Sequence, residues 1–295
     1  MDNVNGILLV NKPKGWTSQD VLSKLKRHFH VDRIGHAGTL DPLATGLLVV
    51  LLGTSTKLSD YLLSDEKEYE CEIMIGKASD TEDITGEILD EKPVTVKFDN
   101  IDNVLAGLVG TLEQEPPMYS SVRYNGRKLY ELARDGITVE RNKRTIEVRS
   151  INRISDLEYS DDTCKFKFNS SVSKGTYIRT LCVEIGLRLG FPALMSELKR
   201  IKSGKFHLEN SFELSEVLDN KYEILSNFTA IQDKPNIVNI NDFLYNRVLN
   251  GMKIRVESNY DYIYLVHNNE LVGIYEKDLT YTDTNKSYKA KRVWN

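Results

Sequence analysis

Residues 35–46 of the chain read Gly-His-Ala-Gly-Thr-Leu-Asp-Pro-Leu-Ala-Thr-Gly, and the six residues that follow, 47–52, are all apolar. A continuous apolar run of that length predicts a strand buried on both faces, in the middle of a sheet. The segment before it is irregular, because its glycines adopt backbone angles closed to other residues and Pro42 donates no hydrogen bond. Pro42 also pushes Asp41 toward extended geometry. One carboxylate is thus held on a stiff loop at the mouth of a central strand, a common setting for chemistry. Asp before Pro is equally ordinary turn chemistry, so Asp41 either caps the turn or faces a ligand.

Periodicity supplies the elements around that loop. Residues 6–10 predict a short buried strand running into the turn Asn11-Lys12-Pro13-Lys14-Gly15. A helix follows, capped by Thr17 or Ser18, with Val21, Leu22, Leu25 and Phe29 as its apolar stripe. Residues 68–76 alternate strictly, placing Tyr69, Cys71, Ile73 and Ile75 on one face of a strand and Glu68, Glu70 and Glu72 on the other. Tyr69 therefore reads as a core aromatic near a sheet end. Residues 80–86 form a carboxylate-rich turn that lacks the distant Glu and flanking helices of a calcium loop, so no metal is expected there. Asp99 is expected to cap a helix that carries Ile101, Val104, Leu105 and Leu108 inward and ends at Gly110.

Strands are expected at residues 144–154 and 163–172. The turn 173–177 then opens a helix with Ile178, Leu181, Cys182, Ile185 and Leu189 as its inner stripe. That stripe leaves Tyr177 and Arg179 without a structural reason. Phe191-Pro192 ends the helix, a strand at 205–208 closes the region, and 212–218 read as helical. Residues 220–238 are polar and irregular, as in a linker, and beyond them short strands around Asn268-Asn269 form a small β-rich module.

The formal net charge of −4 argues against a polyanionic partner only until its distribution is considered. Residues 123–153 hold nine cations against four carboxylates, and residues 11–36 hold six against two. Residues 114–130 also interleave Pro, Tyr, Ser and Arg, a mixture suited to unstacked bases and phosphates. The three cysteines, Cys71, Cys164 and Cys182, are widely spaced with no C-x-x-C pair, so they read as buried thiols of a reducing compartment. No apolar run nears the roughly 20 residues that cross a bilayer, and Met1 to Asn5 lack the basic start of a signal peptide. A cytoplasmic protein is the expectation.

The string from Gly35 to Gly46 resembles the motif of bacterial tRNA pseudouridine-55 synthases, the TruB-type pseudouridine synthases, in which the aspartate is the residue shared by all such enzymes. The strand at Tyr69, the Ser173-Lys174-Gly175-Thr176-Tyr177-Ile178-Arg179-Thr180 string and the segment Leu198-Lys199-Arg200 are similar to further motifs of that family, with Lys199 a departure from its commoner arginine. The resemblance implies an α+β pseudouridine synthase fold: a central mixed, mainly antiparallel sheet flanked by helices, plus a small C-terminal β-rich PUA-like domain. It implies a catalytic domain over residues 1–232, with a thumb-like RNA-gripping insertion at about 114–143, and an RNA-binding domain over 240–295. The implied activity is isomerisation of uridine 55 in the T-arm of tRNA, with no cofactor and no metal, by a monomer that needs no obligate protein partner and no membrane.

By the same resemblance Asp41 is the catalytic nucleophile, attacking C6 of the base or C1′ of the sugar. Tyr69 and Tyr177 enclose a flipped-out uracil, Leu198 touches it, and His36 fills the gap it leaves. Arg179 pairs with Asp41 and keeps it ionised, Asp83 fixes Arg179, and Lys12 lies beside the cleft. Two other readings stand beside this one: a non-catalytic RNA-binding or RNA-folding protein, a role an enzyme of this kind could also combine with catalysis, and an enzyme for another structured RNA. A binder has no need of an internal carboxylate, which speaks for the enzyme. Removing the chain from about residue 240 onward is expected to weaken tRNA binding more than the chemical step.

Overall fold

Alternating and continuous apolar runs assemble one large sheet. In the computed structural model, which describes residues 4–63, 66–280 and 287–294, its main strands are β1 (Gly6–Lys12), β2 (Ile34–His36), β3 (Thr45–Leu52), β4 (Lys67–Ile75), β5 (Gly110–Gln114), β6 (Arg144–Arg153), β7 (Thr163–Val172), β8 (Ala193–Ser203) and β9 (Phe212–Glu213). Residues 1–3, part of the stretch without a basic start, lie outside the described residues. The strand order is β9-β1-β3-β8-β4-β7-β6-β5, with β2 and two further short strands on its flanks. Only the β1–β9 and β3–β8 pairings are parallel, which makes the sheet mixed and mainly antiparallel, as expected.

Helices cover the sheet where the apolar stripes require it. Helix α1 (Ser18–Phe29) starts on a capping box between Thr17 and Asp20 and buries Val21, Leu22, Leu25 and Phe29 against Leu8, Val10, Leu48 and Val50. Helices α2 (Ile101–Ala106) and α4 (Ile178–Leu189) pack on β4, β6 and β7 through Leu105, Ile185, Ile73, Ile151 and Phe168. Between them in the chain, α3 (Leu129–Arg134) follows a small hairpin, Arg123–Tyr124 with Arg127–Lys128. The start of α2 departs from expectation. Asn100, not Asp99, is the N-cap, no side chain caps the helix, and it closes at Gly107 rather than Gly110. Gly110 instead begins β5, taking the positive φ (121°) that turns the chain into the sheet.

The segment after Phe191-Pro192 is an eleven-residue strand, β8, at the centre of the sheet. Its alternation is hidden at the start, where Ala193, Leu194, Met195 and Ser196 are all buried. The expected strand at 205–208 shrinks to Phe206–His207, and the helical patch at 212–218 begins with β9. The expected linker is folded onto the main domain. Ile7 and Leu225 exchange two backbone hydrogen bonds of 2.8 Å, and helix α5 (Asn227–Ile231) buries Ala230 and Ile231.

Helix α6 (Asp242–Leu249) and a second sheet complete the described chain. The strands of that sheet are β10 (Ile237–Asn239), β11 (Ile254–Arg255), β12 (Tyr262–His267), β13 (Glu270–Lys277) and β14 (Ser287–Val293), in the order β10-β12-β13-β14-β11. One face packs with Val248, Ile254 and Tyr288, while Tyr264, Val266, Leu271, Ile274 and Trp294 join Leu9, Val49, Leu58, Leu62 and Ile231 of the main domain in one continuous cluster.

Candidate active site

The Asp41 loop is held by side chains that reach it from three directions. Ser18, at the start of α1, accepts a hydrogen bond from Leu40 N–H at 2.9 Å and donates to Leu40 carbonyl at 3.1 Å. The buried Lys12 Nζ donates to the carbonyls of Trp16 at 2.6 Å, Pro13 at 3.0 Å and Pro42 at 3.4 Å. From the centre of the sheet, the fully buried Arg200 donates to Leu47 carbonyl at 2.7 Å, Gly38 carbonyl at 2.9 Å and Thr39 carbonyl at 3.4 Å. Its guanidinium therefore binds both arms of the loop, and its backbone lies between Gly46 on β3 and Tyr69 on β4. A Cβ on Gly46 would come within 2.3 Å of Arg200 carbonyl oxygen, so the close approach of β8 requires that glycine.

Arg200 belongs to the motif segment Leu198-Lys199-Arg200, but nothing in that mixed, basic stretch marks its side chain as the buried anchor of the loop. Lys199 is exposed, and the side chain of Leu198 is buried in one cluster with Tyr69, Leu40 and Leu43. Tyr69 is buried on β4, opposite Arg200 on one side and Ser170 on the other.

Arg179 enters from the first turn of α4. Its Nε stands 3.0 Å from Asp41 Oδ2, and its other nitrogens donate to the carbonyls of Thr81 at 2.7 Å and Tyr119 at 2.8 Å. Asp83 lies on the far side, with Oδ2 3.8 Å from Arg179 Nη1, while its Oδ1 accepts from Thr81 hydroxyl at 2.9 Å and Thr85 N–H at 2.9 Å. Asp83 and Arg179 are both buried, whereas 36% of the Asp41 side chain stays open to solvent, so the ion pair ends in an accessible carboxylate.

Burial nonetheless pushes the Asp41 carboxyl above its ordinary range; Arg179 and Lys12 oppose the shift, and Asp83 adds to it. The expected pairing of Arg179 with Asp41 is present, and its pull toward the ionised form is there too, but it is not the largest influence on this carboxyl. The guanidinium lowers the value, as an opposite charge must, but the loss of water costs the anion more.

Tyr177 is the N-cap of α4, half-buried, and burial raises its phenol above the usual value. His36 ends β2, with its Nδ1 buried and without a hydrogen-bond partner, and burial together with Arg200 lowers its pKa from the ordinary value. Among the described residues no group of three or more His, Cys, Asp or Glu could hold a metal ion. All three cysteines are free and buried. In the basic stretch 123–153, Arg127 pairs with Asp135, Arg141 with Glu115, Arg149 with Glu66 and Arg153 with Asp102. Lys128 and Arg134 sit over the Tyr130 ring, 5.3 Å from its centroid, an aromatic and cationic surface.

Burial takes Lys12 from its ordinary 10.5 down to about 8. If the ammonium is what holds the 13–16 turn against Pro42, single-turnover rate is expected to fall as pH rises through 8. Lys12→Met should lower the rate about tenfold at pH 7 and meet the wild type near pH 9. Unfolding would not explain such a limb. A folded-state pKa below the unfolded one makes the cation a cost to folding at neutral pH, and that cost fades as pH rises from 8 toward 10.5. A variant whose profile runs parallel to the wild type would show that Lys12 acts only by packing.

Known proteins share the sequence and the fold of this chain. Residues 26–178 match the family model described as TruB family pseudouridylate synthase (N terminal domain), and residues 179–232 match that of the tRNA pseudouridylate synthase B C-terminal domain. The tRNA pseudouridine synthase B of Staphylococcus aureus strain MSSA476 is 44% identical over 258 residues, covering 84% of this chain and 85% of that one. Among solved structures, the chain aligns over 98% of its length with one from a Cbf5-Nop10-Gar1 complex, at 25% identity and a TM-score of 0.72, covering 84% of that chain. A second, from an H/ACA RNP bound to a substrate RNA containing 2'-deoxyuridine, shares the fold at 24% identity with a TM-score of 0.73, and 98% and 85% of the two chains align.

Proposed function

Because the chain belongs to the TruB family of pseudouridylate synthases, we propose that it isomerises uridine 55 in the T-arm of tRNA, with Asp41 as the nucleophile. The observation that carries this reading is the Asp41–Arg179 pair, a carboxylate open to solvent on one side and held at 3.0 Å by a buried guanidinium on the other. In the reaction the bond between uracil N1 and ribose C1′ breaks and a bond from C5 to C1′ forms. The proton on C5 leaves and one is taken up at N1, so the atoms balance without an oxidant or an energy source. A carboxylate kept partly out of water can supply the nucleophile.

The target is paired inside a folded arm and is flipped out, at a cost of a few kcal/mol. Tyr69 and Tyr177 enclose the extracted uracil and Leu198 forms its wall; these assignments draw support from the burial of Tyr69 with Leu198 and from the position of Tyr177 two residues before Arg179. His36 fills the space the base vacates. The stretch 114–143 grips the arm through its cations and tyrosines, and the second sheet with α6 adds a further RNA contact. The name of the S. aureus relative supports tRNA as the substrate.

The test is to incubate the protein with an unmodified tRNA transcript and map pseudouridine by chemical modification. A single new pseudouridine at position 55 is expected. Product elsewhere in the transcript, or none, would overturn the assignment.

A further inference from the structure

Gln114 is the last residue of β5, where the chain leaves the sheet for the stretch 115–143. Its side chain is buried, at 8% exposure, and both ends of its amide are used on one residue. Oε1 accepts from the N–H of Tyr177 at 2.7 Å, and Nε2 donates to the carbonyl of Tyr177 at 3.0 Å. Tyr177 is the N-cap of α4, and the N–H groups at a helix start have no intrahelical acceptor, so Gln114 supplies one for Tyr177. Its carbonyl takes the first helical hydrogen bond, from Leu181 N–H at 3.1 Å, as well as the one from Gln114. Five residues after Gln114, Tyr119 carbonyl accepts from Arg179 Nη2 at 2.8 Å. The short segment 114–119 thus holds the backbone of Tyr177 at two points and the guanidinium of Arg179 at a third.

We propose that Gln114 is a positioning residue for the reaction: it fixes the start of α4 so that Tyr177 faces the target base and Arg179 faces Asp41. The inference rests on the roles given to Tyr177 and Asp41 above. The isosteric amide is what the geometry needs. A donor and an acceptor on one planar group meet the carbonyl and the N–H of one residue, as a neighbouring strand would. Methionine keeps the length and loses both bonds. Glutamate keeps the acceptor and sets a carboxylate oxygen against the Tyr177 carbonyl, two acceptors face to face, until the introduced carboxyl is protonated and can donate.

The experiment compares full-length wild type, Gln114→Met and Gln114→Glu in single-turnover pseudouridine formation on a tRNA transcript, together with tRNA affinity and thermal melting. Gln114→Met is expected to slow the bound-state rate by on the order of 10- to 100-fold, the scale of an ångström-sized misplacement, with affinity unchanged within about twofold. For Gln114→Glu, the rate relative to wild type should climb as pH falls from 8 to 5.5. Taking that ratio cancels the titration of Asp41, common to both proteins. A packing role would lower melting temperature and affinity and leave the ratio flat with pH. That result, or a Gln114→Met that turns over like wild type, would overturn the proposal. Asp41→Asn in the same assay separates the two levels: turnover surviving there removes the reaction centre itself, whereas a dead Asp41→Asn beside a fully active Gln114→Met removes only the role of Gln114.

Discussion

Asp41→Asn is expected to abolish pseudouridine formation while tRNA affinity stays within about tenfold of wild type. Asparagine fills the same volume on the same loop, and the tethers from Ser18, Lys12 and Arg200 all end on backbone atoms, so the loop should keep its place. What is lost is the anion opposite Arg179. The melting temperature should not fall either. Burial lifts the Asp41 carboxyl above its usual range, so holding it ionised is a cost to the fold at neutral pH, and the cost disappears as pH falls through the raised value and the proton binds. Wild-type activity should follow the opposite course, declining on the acid side at a pH above that of an ordinary surface carboxylate. Turnover in a clean Asp41→Asn preparation would break the link between this carboxylate and the chemistry, and a variant that melts well below wild type would show that the anion helps to hold the loop.

The elements that set the site were legible wherever one period dominated. The alternation of residues 68–76 put Tyr69 on the buried face, and the stripe of α1 fixed which side of the first helix meets the sheet. Legibility failed where burial came from a neighbour and not from the segment's own pattern. Strand β8 is covered on both faces where it begins, and it carries the buried charge of Arg200, so neither alternation nor apolarity announced it. The charge is tolerable there only because three carbonyls of the Asp41 loop and β3 accept from it, a fact of tertiary structure. Gln114 was hidden for the same reason, since its partner lies 63 residues away. The residues around Asp41 could be assembled from motifs, but the protonation of Asp41 could not, because desolvation depends on everything packed about it.

Deleting residues 237–295 is expected to cost the catalytic domain much of its stability, and with it both binding and turnover. Sequence alone pointed to a detachable module whose loss would touch affinity first. The second sheet, however, contributes Tyr264, Val266, Leu271, Ile274 and Trp294 to the cluster that contains Leu9, Val49, Leu58 and Leu62. Tyr61 packs on Tyr262 and Tyr264 at ring distances of 5.7 and 6.0 Å, and Lys57 donates to Val293 carbonyl across the same seam. Burying side chains of this size contributes about 1.5–3 kcal/mol each, so if half of that burial is against the catalytic domain, its loss is on the order of 5 kcal/mol. Domains are stable by only about 5–15 kcal/mol, and a deficit of this size lowers the melting temperature by roughly 10–20 °C. Thermal melts of the full and shortened chains, with turnover measured at saturating tRNA, decide the matter. A shortened chain that melts within 3 °C of the full one and loses affinity alone would mean that the seam is only a surface contact. Ile274→Ala, which hollows the seam without removing the module, should show the same trend at about 2–5 kcal/mol, leaving tRNA affinity unchanged below the melting range.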